Sequence, residues 1–424
     1  MKCPKIQLKF RSVTAILAFA VISANGSGFD LPDQDAFVIG RGMAFAATAD
    51  NPSAIYYNPA GITQLQGNNL RAGIYGIDIN STYKSPAGTT YDNTKPLHAI
   101  PQFFYTYSLE KLPLSFGLGV YSPYGLSSGW PQDTGFRTVS TYGSIVYETI
   151  NPVIAWQIIP SLSVAAGLTV NYSSLNLQQG LFWPTQPYDG FKFQGDAWAV
   201  GYNLGVLWKP IKQLAFGVSF RSPTTMNYKG STTAYNNVPT PSPPFPASIP
   251  AFSQQSSAKA KFPFPLNMIA GVSYRPTPHW NLEFNADYTD WNTIGTVIVN
   301  QSTPAPVLPA SVPLTLDWQS SWYYEFGATR YFDNGWHVSA GYIFNENSVP
   351  SKYYQPLVAD QNRHFLSIGA GYKGQRFDFD IAYQFGYGPT RTVSGSAPSA
   401  AGQTADGQYT FLSNAIAASV GLHF

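Results

Sequence analysis

Phe377-Asp378-Phe379-Asp380-Ile381-Ala382-Tyr383-Gln384-Phe385-Gly386-Tyr387 decides the fold of this 424-residue chain. Every odd position is aromatic or large and apolar, and every even one is polar or small. Side chains of a strand point alternately to opposite faces, so the run makes a ribbon with one greasy face and one polar or small one. Trp280, Leu282, Phe284, Ala286 and Tyr288 alternate in the same way with Asn281, Glu283, Asn285, Asp287 and Thr289. Trp336, Val338, Ala340, Tyr342 and Phe344 repeat the pattern, as do Leu214, Phe216, Val218 and Phe220. Rings gathered near strand ends suit a membrane interface, with lipid on one face of each strand and a lumen on the other.

Working outward, the pattern gives about fourteen segments: 68–83, 96–109, 113–124, 143–158, 161–177, 195–209, 213–228, 258–275, 279–292, 314–332, 335–346, 363–373, 376–387 and 410–424. Connections such as Glu110-Lys111-Leu112, Pro276-Thr277-Pro278 and Asp333-Asn334 are short. They alternate with the long stretches 125–142, 178–194, 229–257, 293–313, 347–362 and 388–409 and a moderate one at 84–95. Bacterial barrels have short periplasmic turns and long outer loops, and an even strand number leaves both ends in the periplasm. The expected fold is therefore all-β, a transmembrane antiparallel β-barrel. Composition agrees. Only 11% of residues are charged, less than half the ~25% of soluble domains, while 16% are aromatic. The mean hydropathy is −0.11.

The first residues predict export. Lys2, Lys5, Lys9 and Arg11 precede an apolar stretch from Val13 to Ile22, far short of the ~20 residues of a spanning helix. Ala24-Asn25-Gly26 reads as the cleavage site, which makes 1–26 a signal peptide and Ser27 the new terminus; an uncleaved anchor helix is the alternative. The only cysteine, Cys3, leaves with the signal, so the mature chain has no disulfide. Losing four basic residues and no acidic one turns the formal charge from +2 to −2, and no nucleic-acid partner is expected.

Between the signal and the first strand lies a turn-rich segment, 27–67, set before the barrel of 68–424. Ser27-Gly28-Phe29, Gly40-Arg41-Gly42-Met43-Ala44, Ala46-Ala47-Thr48-Ala49-Asp50 and Asn58-Pro59-Ala60 follow one another there. In this order they resemble the N-terminal hatch of the FadL family of outer-membrane transporters, with Asn58-Pro59-Ala60 similar to the family's NPA box. The resemblance implies fourteen strands, a lumen plugged by the hatch, and passive passage of long-chain fatty acids or aromatic hydrocarbons. It also implies that Phe29 contributes to a ligand pocket, packing of the hatch on the wall being the alternative. Asn58, Pro59 and Ala60 would contact the wall near an exit, in a gating or a structural role. Tyr121-Ser122-Pro123-Tyr124-Gly125-Leu126 is similar to the family's third strand, whose inward kink opens a lateral window. Pro123 removes a ladder hydrogen bond and Gly125 tolerates unusual backbone, so a kink at Pro123, Tyr124 and Gly125 is physically reasonable; a simple strand end at Pro123 is the alternative.

Further expectations complete the reading. The Pro-rich stretch 238–265 reads as a loop, with Phe245, Ile249 and Phe252 either lining an outer groove or packing over the mouth. Arg221, Arg330 and Arg363 are candidates for a basic pocket residue by strand position alone, pairing in the lumen or on a loop being the alternative for each. Ile416, Ala418, Val420, Leu422 and Phe424 share one face, and the terminal Phe424 resembles the strand signal read by the barrel-assembly machinery. Expected partners are hydrophobic small molecules and the lipid and lipopolysaccharide of the outer membrane, around a monomer. No cofactor and no metal site are expected, since His98, His279, His337, His364 and His423 are scattered. Gly125-Leu126-Ser127-Ser128-Gly129 matches G-x-S-x-G, but that motif needs a strand-turn-helix elbow, and here it opens a loop between strands, so no enzyme is expected. A diffusion porin for polar solutes is the main rival; an adhesin or phage receptor is another.

Overall fold

The computed structural model describes residues 28–94, 97–240, 248–305 and 308–424. The expected export signal and its cleavage site lie outside the described residues. Alternation translates directly into strands: in the deciding run, Asp378, Asp380, Ala382 and Gln384 are buried, while Phe377, Ile381, Tyr383 and Tyr387 are exposed.

Fourteen antiparallel strands close into one barrel. They are β1 (Asn68–Lys84), β2 (Leu97–Ser108), β3 (Leu114–Gly129), β4 (Tyr142–Ile159), β5 (Leu162–Gln179) and β6 (Asp189–Ile211), followed by β7 (Leu214–Arg221 continued by Thr224–Asn236) and β8 (Phe252–Phe264 continued by Asn267–Thr277). Then come β9 (Trp280–Thr289 continued by Thr296–Gln301), β10 (Ser311–Thr315 continued by Ser321–Tyr331), β11 (Trp336–Asn345), β12 (Arg363–Lys373), β13 (Phe377–Val393) and β14 (Gly407–His423). Closure is by β1 on β14, paired from Asn69↔His423 to Lys84↔Gln408.

Three expectations about connections need correction. The stretch 293–313 is not one loop, because Thr296–Gln301 pairs with Ser311–Thr315. Half of 238–265 is strand: Phe252–Phe264 pairs with Thr224–Asn236, and Pro263 sits within it opposite Thr225. Gly125–Gly129 lies on β3, not in a loop. In each case the strands run on past the apolar band, where outward residues such as Ser253, Gln255, Thr296 and Asn300 are polar, Ile298 and Pro313 excepted, and the greasy alternation stops.

The outward face of β6 shows the height of the apolar band. Trp198, Val200, Tyr202, Leu204, Val206 and Trp208 are all exposed, with a Trp at each end. About ten residues at ~3.3 Å per residue and ~40° tilt span ~25 Å, the height of a barrel's lipid-facing band. The buried core lies inside the barrel. Residues 28–67 fill much of the lumen, with two short helices, α1 (Ala36–Gly40) and α2 (Ala54–Tyr57), and a 3-10 turn, Pro59–Gln64. Outer loops close the mouth: Trp130 Nε1 donates to Pro356 O at 3.0 Å, and Arg137 donates to Asp189 Oδ1 at 2.6 Å.

Candidate functional site

The lumenal segment is held at its lower end by buried charge. Asp35 caps α1, accepting from Phe37 N at 3.1 Å and Val38 N at 3.4 Å. The same carboxylate pairs with Arg71 of β1, which also reaches Asp378 at 2.8 Å and Asp380 at 2.7 Å on β13. His337 bonds Asp380 at 2.6 Å, and His423 bonds Asp378 at 2.7 Å. One guanidinium thus joins three carboxylates and ties the segment to the wall. Further round, Arg41 pairs with Glu283 of β9 at 3.4 Å, and Asp50 with Arg275 of β8 at 2.9 Å. Burial pushes the Asp50 carboxyl up, but Lys373, Arg275 and Arg41 outweigh it and leave it below the usual carboxylate range. A polar cavity of about 290 Å³ opens here toward the short-turn end, lined by Asp50, Arg71, His337, Lys373 and Asp380.

Asn58, Pro59 and Ala60 sit against β6. Asn58 Nδ2 donates to Val206 O at 2.9 Å and to Ala46 O at 2.7 Å, while its Oδ1 accepts from Ala60 N at 3.2 Å. Asn58 thereby caps the 3-10 turn, Pro59 fills its first position, and the amide nails both to the wall. Gly205 makes the approach possible: a Cβ there would lie 2.5 Å from Asn58 Oδ1 and 2.8 Å from Pro59 Cδ.

Pro123, Tyr124 and Gly125 form an irregularity in β3. The register on β4 slips between Tyr121 and Tyr124, one extra residue being carried by β3. On the other edge, β2 pairs with β3 only from Phe103↔Val120 to Ser108↔Ser115. Among the described residues, Leu97 to Gln102 of β2 pair with β1 but have no ladder partner on β3, and a bridge to β3 recurs at Thr94↔Gly129. The lumenal segment takes the vacated edge. Leu31 N donates to Pro123 O at 2.9 Å, Gly125 N to Phe29 O at 2.8 Å, and Gln34 Nε2 to Ser122 O at 2.8 Å. Pro123 does not end the strand. It marks a break in the wall, with Leu97 beside it 75% exposed.

Phe29 lies at the centre of an aromatic chamber. Its ring is 4.8 Å from Trp291, 5.3 Å from Trp318, 5.5 Å from Phe264, 5.9 Å from Phe262 and 6.0 Å from Tyr124. Gly28, at φ +66°, has no room for a side chain, since a Cβ would meet the Trp318 ring at 2.6 Å. Below the rings is Arg221, buried, with Nη2 donating to Tyr56 O at 3.1 Å and its guanidinium 4.3 Å above the Tyr56 ring. Asp30 lies beside it. Burial pushes the Asp30 carboxyl up to about 7, against the opposing pull of Arg221. At the outer mouth, a cleft of about 70 Å³ lined by Leu177, Phe193, Val299 and Leu314 faces the loops.

The sequence candidates divide accordingly. Phe29, Tyr124 and Arg221 come together at the chamber, and Asn58-Pro59-Ala60 lies apart from them on β6. Arg363 is buried under Phe411, 3.7 Å from its ring, with Nη2 donating to Ala359 O at 3.0 Å. Arg330 belongs to neither, because it pairs in register with exposed Trp280 on the outward face. Phe245 lies outside the described residues; Ile249 and Phe252 are half-buried. Unforeseen were Trp291 and Trp318, which stand at the interruptions of β9 and β10, and the Arg71 cluster. Ionisable residues on the lumen face of a spanning strand are themselves a signal, and Asp378 and Asp380 carried it.

Residues 17–424 match the family described as outer membrane protein transport protein (OMPP1/FadL/TodX). The long-chain fatty acid transport protein of Salmonella typhi is 24% identical over 409 residues, covering 89% of this chain and 92% of that protein. That of Escherichia coli K12 is 22% identical over 423 residues, with the same coverage. Among solved structures, a Pseudomonas aeruginosa FadL homologue superimposes with a TM-score of 0.81 at 18% identity, covering 93% of this chain and 99% of that one. The Pseudomonas putida toluene transporter TodX gives 0.73 at 15% identity, also over 93% and 99%.

Proposed function

This chain belongs to the OMPP1/FadL/TodX family of outer-membrane transport proteins, and on that footing we propose that it passes hydrophobic compounds, long-chain fatty acids or aromatic hydrocarbons, through the outer membrane by passive diffusion. One observation carries the reading. The aromatic chamber around Phe29 lies directly beside a stretch of wall whose ladder is broken, and Phe29 itself is bonded to that break. An apolar solute gains ~25 cal/mol for each Å² of surface it keeps from water, so a route from chamber to bilayer spares it an aqueous crossing.

In this reading residues 1–26 are a cleaved export signal, 27–67 a hatch and 68–424 the barrel. Ligand gathers at the outer cleft and enters the chamber as Phe29 withdraws. Because Phe29 O and Leu31 N hold the β3 edge, that withdrawal frees Pro123, Tyr124 and Gly125 and opens the way between β2 and β3. Asn58-Pro59-Ala60 fixes the rest of the hatch to β6, so that only its beginning moves. Arg221 lies beneath the chamber with Asp30 and Asp287 near it, while the rings around Phe29 favour an apolar ligand. Catalysis has no part in the reading, since Gly125–Gly129 runs along a strand without the elbow its motif needs.

The test is uptake of labelled oleate, labelled toluene and a labelled small sugar by cells with and without the protein in an otherwise deficient outer membrane. A gain for oleate or toluene and none for sugar is expected. A gain for sugar alone makes the protein a porin. Replacing Asn58-Pro59-Ala60 is expected to abolish uptake while leaving heat-modifiable gel migration intact; loss of the folded band shows that the tripeptide is structural.

A further inference from the structure

Three lysines on the outward face of β7 and β8 stand where folding alone gives no reason for them. Lys229 and Lys259 are direct cross-strand partners, and Lys261 lies two residues along, opposite Asn227. All three are exposed. Among the described residues none of them is in an ion pair. Like charges directly opposite each other destabilise an antiparallel pair. Asp196 of β6 faces Lys229 on its other side in the ladder without pairing with it. The half-buried Lys192 lies further out on the same strand, so positive charge dominates the patch.

Their depth identifies what meets them. The outward apolar run of β6 ends at Trp198, 63% exposed, and Asp196 is the next outward residue. Since Asp196 and Lys229 are in register and Lys229 faces Lys259, those two lysines stand one step outside the aromatic edge of the lipid-facing band, and Lys261 lies two residues nearer the membrane, at that edge. That is the level of the outer-leaflet headgroups. Below them the wall continues apolar, with Met268 and Ala270 exposed on β8 and Val200 on β6.

We propose that Lys229, Lys259 and Lys261 form a docking site for a phosphorylated glycolipid of the outer leaflet, its phosphate bridging the two opposed ammonium groups while its acyl chains lie against the wall beneath. The anion removes the repulsion that the bare pair carries, and the apolar wall distinguishes a lipid from a free phosphate, which would gain only the charge contacts. The site depends on the outer-membrane orientation and not on which cargo the barrel carries.

The experiment uses the delipidated, detergent-solubilised protein, with thermal unfolding followed by heat-modifiable gel migration. It is titrated with bisphosphorylated lipid A, with dephosphorylated lipid A, and with inorganic phosphate at equal phosphorus. Lipid A is expected to raise the unfolding midpoint, and the other two to leave it unchanged. In the combined Lys229→Gln, Lys259→Gln, Lys261→Gln variant the apparent affinity falls roughly five-fold for each lysine removed, while Lys111→Gln, on a short turn at the opposite end, responds as wild type. An equal response to dephosphorylated lipid, an equal response to inorganic phosphate, or an undiminished response of the triple variant each overturns the proposal. Lys259→Gln alone gives a second reading that survives poor folding of the triple variant. Without lipid its midpoint is at or above that of wild type, and with lipid A it is below. A lower midpoint without lipid overturns the repulsive pair on which the site is built.

Discussion

The two ends of the lumenal segment are held by opposite means. From Asp35 onward it is fixed by buried ion pairs to Arg71 and Glu283, by a half-exposed pair to Arg275 and by Asn58 on β6. From Gly28 to Gln34 it rests among rings and on three hydrogen bonds to the edge of β3. Buried ions tolerate little displacement, because a charge that loses its partner in a low-dielectric interior is left uncompensated. Ring contacts accept many offset and edge-on geometries at similar energy, and an edge hydrogen bond can pass to another partner. The lower end is therefore an anchor and the upper end a movable stop, within one continuous stretch of chain.

Breaking the anchor has the largest expected effect. Arg71→Met leaves Asp35, Asp378 and Asp380 facing one another without their shared cation, a loss of about 3–5 kcal/mol. It is expected to lower the temperature at which the folded band disappears on gels and to release the whole segment. A midpoint equal to that of wild type removes the distinction between anchor and stop.

Phe29→Ala tests the other end. Truncating a buried Phe costs about 3 kcal/mol, but here the loss falls on the seat of residues 28–34 and not on the wall. Hydrogen exchange at Leu31 and Gly125 is expected to speed up about a hundred-fold while the barrel midpoint stays within a degree or two. Equal loss in both readouts makes the chamber part of the structural core.

Between the two lies Gly205→Ala. Its new methyl meets Asn58 and Pro59 and, as overpacking, costs about 1–3 kcal/mol. The expected sign is partial: a moderate fall in the midpoint, with residues 28–34 as protected as in wild type. Faster exchange at Leu31 shows that the two ends are coupled.

How much of this was legible in sequence depends on where period two survives. In β13 and the first half of β9 it persists for ten residues or so, and the faces could be assigned outright. It fails at Thr296–Gln301 and Ser311–Thr315, pieces of six and five residues too short to establish a period. At Phe252–Phe264 the outward residues include Ser253, Gln255, Ser257 and Lys259, so a strand that has left the lipid no longer looks amphipathic. Parity did separate the arginines, had it been applied. Arg330 shares its face with Trp322, Tyr324 and Phe326, whereas Arg363 shares its own with Phe365 and Ser367. The Arg71 cluster was half visible, since Asp378 and Asp380 sit on the polar side of the deciding run. Their partner is 307 residues away, and only the closing register brings it near. Trp291 and Trp318 lie where the ladder breaks, and no periodicity marks them.

A pH titration probes the upper end while leaving both ends in place. Asp30 sits beside Phe29, and burial raises its carboxyl to about 7 when the segment is seated, while in the released, hydrated segment it returns to the ordinary ~3.9. The seated form therefore binds more protons between those two values, and its stability falls as pH rises through them. Seating is strongest below pH 4, weakens by roughly 1 kcal/mol per pH unit through the window, and levels off above about pH 7. Exchange at Leu31 is expected to quicken, relative to its intrinsic rate, between pH 5 and pH 7. Asp30→Asn, which cannot ionise, is expected to flatten that dependence. A slope that persists in the Asn variant places the titrating group elsewhere and leaves the upper end a purely apolar stop.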